Sequence, residues 1–522
     1  MDKSTWQPAP LLRGRMVEAE YNDPLIPDYK GNPFIEALPP IWKKEQVIDM
    51  LQYYPEYQEA HREWPPELRL HLIRNVLKFF EVIPLHIDLE QRLSSMVRLG
   101  YQARNPCLHD YHGNYYRDID KKVDALLSRE PLISNLQSSA IALAVVGLSG
   151  VGKSVTLGHL LALYPQVIFH HNHRGNDFSP VQLVWLKLEC PFDGSTKGLC
   201  LNFFQALDNL FDTHYVENYA RHGRASTDEM IKGMARLASL HAIGVLVIDE
   251  IQHLSNAKSG GSEKMLSFFV ELVNKIGMPV ILVGTYKAMT MLNSEFRLAR
   301  RSAGLGDFVW DSMRRDETWN TFLESLWKFQ YTQKECYLTP QLNRTLYDVS
   351  QGITDLAVKA YMLAQARAIT RGDEAITPGL IRSVTHDSFR MARPILDALK
   401  SGNIQELYNV DDVLPVDIET LLRVITNNAK QPAPIQTKGS HGKDAPTPNK
   451  QETSSGQEPV STTSPKLKAT GVLPEQTEAK GADSLSALAV QGRELGVPVY
   501  DLLRQTGCLA SDDQQPIGGG NQ

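Results

Sequence analysis

Ala142-Leu-Ala-Val-Val-Gly147-Leu148-Ser149-Gly150-Val151-Gly152-Lys153-Ser154 is the stretch that decides the fold. It fits G-x-x-x-x-G-K-[ST], with an apolar strand running in and a helical segment, 155–163, that starts at Val155 and runs out. Glycines at 147, 150 and 152 let the loop turn tightly, so that successive backbone N–H groups can point at phosphate oxygens. Lys153 then supplies positive charge to the β- and γ-phosphates, and the Ser154 hydroxyl is placed to ligate Mg²⁺. The ligand predicted for 147–155 is ATP.

About a hundred residues on, Gly244-Val-Leu-Val-Ile-Asp249-Glu250 ends a second apolar strand in two acids. Buried carboxylates are costly unless something charged meets them. Asp249 is expected to hold Mg²⁺ beside Ser154, and Glu250 to orient or deprotonate an attacking water, which points to hydrolysis. Val280-Ile-Leu-Val-Gly-Thr285 is the next strand, with Thr285 placed to reach the γ-phosphate or the water. Past it, Phe296-Arg297-Leu-Ala-Arg300-Arg301 is a basic cluster suited to reach a neighbouring subunit's nucleotide as an arginine finger. Arg300 and Arg301 are both candidates. Lys359, on a helix of a later helical region, is a candidate to reach back to the phosphates.

Candidate strands at 141–146, 167–169, 183–188, 245–248 and 280–283 alternate with amphipathic stretches at 200–211 and 265–276, as in a parallel α/β sheet. Ser226-Thr-Asp-Glu229 reads as a capping box, and Gly277 as a helix stop. Five segments follow from the pattern: an N-terminal region 1–130 with helical candidates at 42–54, 66–80 and 89–98; a nucleotide-binding core 131–310; a helical lid 311–401 with candidates at 319–331, 355–370 and 378–392; a linker 402–483; and a tail 484–522. The stretch 431–482 is dominated by Pro, Ser, Thr, Gly, Lys and Gln and is expected to be disordered. In the tail, Leu485, Leu488, Ala489, Leu495, Val499, Leu502 and Leu503 form an apolar stripe fit for docking a partner, although Gly496 and Pro498 interrupt any single long helix.

Bulk properties agree with a soluble, intracellular reading. The 522 residues are 42% hydrophobic and 22% charged, with a formal net charge of −6. Apolar runs fall far short of the roughly 20 residues of a membrane span, so no membrane partner is expected. The N-terminus lacks a secretory pattern. Cys107, Cys190, Cys200, Cys336 and Cys508 are scattered without a CxxC pair, which argues against disulfides or a zinc site and fits a reducing cytoplasm.

P-loop, acidic strand, polar strand end, arginine cluster and helical lid follow the order of AAA+ ATPases, so the expected fold is α/β, an AAA+ P-loop core with a C-terminal helical lid. Nucleotide would then sit at a seam between subunits, in a homo-oligomeric ring or filament. More specific motifs surround this frame: Asn32-Pro-Phe-Ile-Glu-Ala-Leu-Pro-Pro40, Arg92-Leu-Ser-Ser-Met-Val-Arg98, Arg104-Asn-Pro106, Tyr164-Pro-Gln-Val-Ile168, Cys200-Leu-Asn-Phe-Phe-Gln-Ala-Leu-Asp208, Leu246-Val-Ile-Asp-Glu-Ile-Gln-His-Leu-Ser255 and Ala299-Arg-Arg-Ser-Ala-Gly304. With these, the chain resembles the TnsC family of ATP-dependent transposition regulators from Tn-seven-type bacterial transposons, and more distantly TniB and IstB-like ATPases. The resemblance runs from about Asn32 to about Ser401. It implies binding to double-stranded DNA in the ATP state, recruitment by a target-selecting protein, activation of transposase and endonuclease subunits, and disassembly on hydrolysis. Lys197 and Lys258, both read as loop residues, are the candidate DNA contacts.

A replication-type helicase loader or initiator shares this core, but has no reason to carry the 32–40 segment or the long polar tail. A small-molecule kinase would not want Glu250 activating water, and a signalling switch ATPase would carry a repeat array that is absent here.

Overall fold

A computed structural model of the protein describes residues 13–107, 142–220, 225–257, 265–269, 273, 277–294 and 307–402. All of them fall in one compact unit, Met1–Ile435.

Three short strands, β1 (Met16–Glu18), β3 (Val167–Phe169) and β6 (Val181–Leu183), form one sheet. A hairpin of β4 (Asn172–His173) and β5 (Asn176–Asp177) turns through Arg174 and Gly175, both at positive φ. The central sheet contains β2 (Ala142–Gly147), β7 (Trp185–Glu189), β8 (Val245–Asp249), β9 (Val280–Gly284) and β10 (Asp307–Trp310). Its spatial order is β10-β2-β9-β8-β7, and every pair is parallel. β2, β8 and β9 are buried at every position, which is why they read as unbroken apolar runs.

Two strand assignments made from sequence are corrected. The stretch 183–188 is not one strand: Val184 donates its N–H to Gln166 O (2.8 Å), and the chain passes there from the small sheet into the central one. The segment 167–169 likewise belongs to the small sheet, not to the parallel core. β10 is not among the strands expected from sequence, although Phe308-Val-Trp310 are β-favouring residues. It is four residues long, buries only alternate positions, and its register is set by β2, with Trp310 opposite Gly147.

Helices α1 (Pro33–Glu36), α2 (Lys44–Leu51), α3 (Pro66–Leu72) and α4 (Pro84–Gln102) precede the core. The helix expected over 66–80 tightens into a 3₁₀ turn at Ile73–Lys78. In the core lie α5 (Lys153–Leu163), α6 (Thr196–Phe211), α7 (Tyr215–Ala220), α8 (Thr227–Leu240) and α9 (Tyr286–Ser294). Ser226 and Glu229 cap α8 reciprocally, as their spacing requires. The lid contains α10 (Glu317–Trp327), α11 (Pro340–Ser350), α12 (Thr354–Arg371), α13 (Pro378–Ser388) and α14 (Arg393–Ser401). α11 went unread in the sequence despite its Thr339-Pro340 start. The helix expected over 378–392 stops at Ser388, because Pro394 favours the first turn of a new helix. Together these elements make an AAA+ P-loop core carrying a helical lid.

The N-terminal residues are woven into both parts. β1 pairs with β3, and Tyr101 and Arg104 donate to the carbonyls of Ala242 (2.9 Å) and Ile243 (2.7 Å) just before β8. Against the lid, buried Arg69 makes a two-pronged ion pair with Glu374 at 2.8 Å and donates to Tyr331 O. Among the described residues no helix is long and apolar enough to cross a membrane.

Three buried histidines, His86, His170 and His241, and the half-buried His159 give this unit a pH dependence. The Phe80 ring stacks between His86 and His159, at 4.9 and 4.4 Å between centroids. His170 is held as one neutral tautomer: Gln182 uses its amide N–H on Phe34 O, so its oxygen accepts from His170 Nε2, and Tyr21 OH donates to Nδ1. Burial pushes His86 down to about 3 and His159, His170 and His241 down to about 4. Folded pKa values below the unfolded value of about 6.5 mean that unfolding takes up protons between these limits. Stability is therefore intact above pH 6.5 and falls as pH drops from there toward 4, by up to about 1.4 kcal/mol per pH unit for each histidine. Urea unfolding between pH 7.5 and 5 measures this, and a flat profile would contradict it.

Candidate functional site

The phosphate-type loop forms where β2 leaves the sheet. Gly150 (φ 80°) and Gly152 (φ 99°) take left-handed conformations that other residues rarely adopt. Gly147 is required for another reason: a Cβ there would lie 1.9 Å from Trp310 O on β10. α5 opens at Lys153 with no side chain capping its first N–H groups, so that end of the helix presents donors to an anion. Lys153 is buried, and its ammonium donates to Gly147 O (3.1 Å) and Leu148 O (2.6 Å).

β8 delivers Asp249, which is 4% exposed. One of its oxygens accepts the Glu250 N–H (3.0 Å), and the other pairs with Lys187 Nζ (2.8 Å) from the neighbouring β7. The ammonium of Lys187 thus compensates a carboxylate that burial would otherwise disfavour. Glu250 takes a left-handed conformation (φ 56°) and opens the 3₁₀ turn Ile251–Asn256. Thr285 follows β9, and its N–H donates to Gln252 Oε1 (3.2 Å).

These ends surround a cavity of about 160 Å³ lined by Ser149, Gly150, Gly152, Lys153, Ser154, Val155, Asp249, Glu250, Gln252, Gly284 and Thr285. A second cavity of about 270 Å³ shares the loop through Val151 and is walled by Ile83, Leu85, Val309, Trp310, Met313 and Thr354 among others.

Nine of the residues singled out from sequence therefore line one cavity. Leu148 and Val151 of the same loop are buried. Lys359 is buried on α12, where its ammonium pairs with Asp355 Oδ2 (2.6 Å). Asp355 in turn donates its N–H to Gly150 O (3.2 Å), so the lid's α12 starts on the loop itself. Lys197 is the second residue of α6, a helix position and not a loop one, and its ammonium donates to Ala225 O (3.2 Å). Lys258, Arg300 and Arg301 lie outside the described residues, as do residues 403–522.

Two residues lay unread. Lys187 had a signal, since it is a lone charge inside the apolar run Leu183-Val-Trp-Leu-Lys187-Leu. Gln252 had none; only the fold shows what its amide touches.

The donor set suits a hard cation such as Mg²⁺, with the Ser154 hydroxyl and the Asp249 carboxylate on one cavity. Among the described residues no three His, Cys, Asp or Glu side chains cluster as a self-sufficient metal centre, so phosphate oxygens and water would complete the shell.

Residues 136–292 match the family model described as an AAA domain. No curated protein matches the chain. Among solved structures it is similar to a Walker-type ATPase of Pyrococcus abyssi, with 14% identity over 56% of this chain and 75% of that one, at a TM-score of 0.32. It is also similar to the Aeropyrum pernix ORC1 protein in complex with DNA, with 15% identity over 61% of this chain and 84% of that one, at a TM-score of 0.34. Both likenesses are distant.

Proposed function

With an AAA+ core as its engine, we propose that this chain is an ATP-dependent, DNA-binding regulator of transposition, which hydrolyses ATP to disassemble. The observation that carries the ATPase half is the single cavity that gathers Lys153, Ser154, Asp249, Glu250 and Thr285. In this reading the loop N–H groups and Lys153 bind the β- and γ-phosphates, Lys153 giving up its two loop carbonyls to do so. Ser154 and Asp249 hold Mg²⁺, which when bound neutralises charge on the phosphates. Glu250 accepts a proton from the attacking water, and Thr285 orients that water or the γ-phosphate. The neighbouring cavity, lined by Val151, Ile83 and Trp310 among others, would take the base. Arg300 or Arg301 of an adjacent copy completes the site in trans, and Lys359 is held in reserve by Asp355.

The transposition half rests on the resemblance between about Asn32 and Ser401. Its motifs include residues that hold this fold together: Asn32 caps α1 through Phe34 N–H (3.1 Å), and Arg98 donates to Ser94 Oγ (2.6 Å). In this role the chain links a target-selecting protein to transposase and endonuclease subunits, with the tail 484–522 as their docking segment.

Binding to double-stranded DNA is expected to need ATP or a non-hydrolysed analogue, to tolerate any sequence, and to weaken with salt as counterions are released. Lys197→Ala and Lys258→Ala are each expected to lower the log–log salt slope by about one unit. Fluorescence anisotropy across a salt series measures it, and an unchanged slope in both variants moves the DNA contact elsewhere. ATP-dependent DNA binding without stimulation of transposition by the purified transposase would favour a replication-type loader instead.

A further inference from the structure

We infer that Gln252 is a positioning residue for hydrolysis, its side-chain amide holding the Glu250 carboxylate against the end of β9. The inference rests on the reading of Glu250 as the water-activating carboxylate. It starts from the backbone. Glu250 is left-handed (φ 56°, ψ 38°), and the turn it opens brings the side chains of residues 250 and 252 together. Gln252 is buried, and both ends of its amide are engaged. Its Nε2 donates to Glu250 Oε2, and its Oε1 accepts the Thr285 N–H at 3.2 Å. That pairing leaves one orientation of the amide, because the Thr285 N–H can only donate and a carboxylate can only accept.

The close approach to β9 depends on a glycine. A Cβ on Gly284 would lie 2.6 Å from Ile251 Cγ2 and 3.0 Å from Gln252 Oε1, so a side chain there would push the 3₁₀ turn away from the strand. Glu250, Gln252, Gly284 and Thr285 all line the same cavity. One neutral side chain therefore ties together the carboxylate and the strand end on which a γ-phosphate would bear. An exposed glutamate samples several rotamers, and only some present an oxygen to a water in line with phosphate. A hydrogen bond from a buried, strand-anchored amide narrows that choice before nucleotide arrives.

Two isosteric replacements separate positioning from anchoring. Gln252→Met fills the same volume and makes neither hydrogen bond. Gln252→Glu can still accept from Thr285 N–H but has no proton to give to Glu250. For the full chain, steady-state hydrolysis and the equilibrium affinity for a fluorescent ATP analogue are measured in both variants, in Glu250→Gln and in the Gln252→Met/Glu250→Gln double variant. Both single variants are expected to lose about 10–100-fold in kcat, the scale for partners that orient a reacting group. Analogue affinity is expected to stay within about threefold, and Gln252→Met to add nothing once Glu250 is gone. The inference is overturned by wild-type kcat in Gln252→Glu, by a raised KM with unchanged kcat, or by additive losses in the double variant. Wild-type turnover in Glu250→Gln would instead remove the reading of Glu250 on which it rests.

Discussion

Glu250→Gln is expected to bind ATP and DNA as the wild type does, and to hydrolyse at least about 100-fold more slowly, the lower end of what a positioned acid–base group contributes. The amide keeps the shape of the carboxylate, and it can still meet Gln252, but it cannot take a proton from water. The ion pair of Asp249 with Lys187 is left intact. The protein should therefore remain on DNA once loaded, because the step proposed to release it is blocked. Lys153→Ala is expected to fail earlier. Its ammonium is the buried cation of the loop, and without it the loop itself offers the γ-phosphate only backbone dipoles. Nucleotide affinity and nucleotide-dependent DNA binding should be lost together. Analogue titration and dissociation of labelled DNA separate the two variants. Equal ATP turnover in wild type and Glu250→Gln would sink the assignment.

Replacing Arg300 and Arg301 together by alanine is expected to cut hydrolysis by about 10³-fold or more while leaving nucleotide affinity largely unchanged. The cavity described here gathers the phosphate lysine, both acids and the polar strand end, and among the described residues no arginine lines it. A neighbouring copy is the proposed source of that charge. Specific activity should then rise with protein concentration, and mixing Arg300/Arg301 double variants with Lys153→Ala chains should restore part of it, since each supplies what the other lacks. Constant specific activity in a demonstrated monomer would count against a site shared between copies.

How much of this was legible beforehand varied with how local the cause is. The loop 147–154 was readable because glycine's φ freedom and a lysine's charge are properties of the residues themselves. β2, β8 and β9 were readable because burial on both faces leaves a run of apolar residues that no other environment tolerates. Asp249 and Glu250 stood out for the same reason, as charges at the end of such a run. The place of β10 was not readable, because Phe308-Val-Trp310 favours a strand but only pairing with β2 puts it at the sheet edge. The break at Val184 was equally silent, since both halves of 181–189 are apolar and only their partners differ.

By itself, then, the sequence determined the phosphate loop, the acidic strand end, the lid's helical character and the capping of α8, each written in residues within a few positions of one another. Tertiary structure alone decided that Lys187 would meet Asp249, that Gln252 would tie Glu250 to Thr285, that α12 would start on Gly150, and that the N-terminal residues would be locked to the lid through Arg69 and Glu374. The reason is physical. A side chain's chemistry travels with its residue, but a contact between residues 62 or 305 positions apart exists only once a packed core has fixed both backbones, and no pattern of neighbours along the chain encodes it.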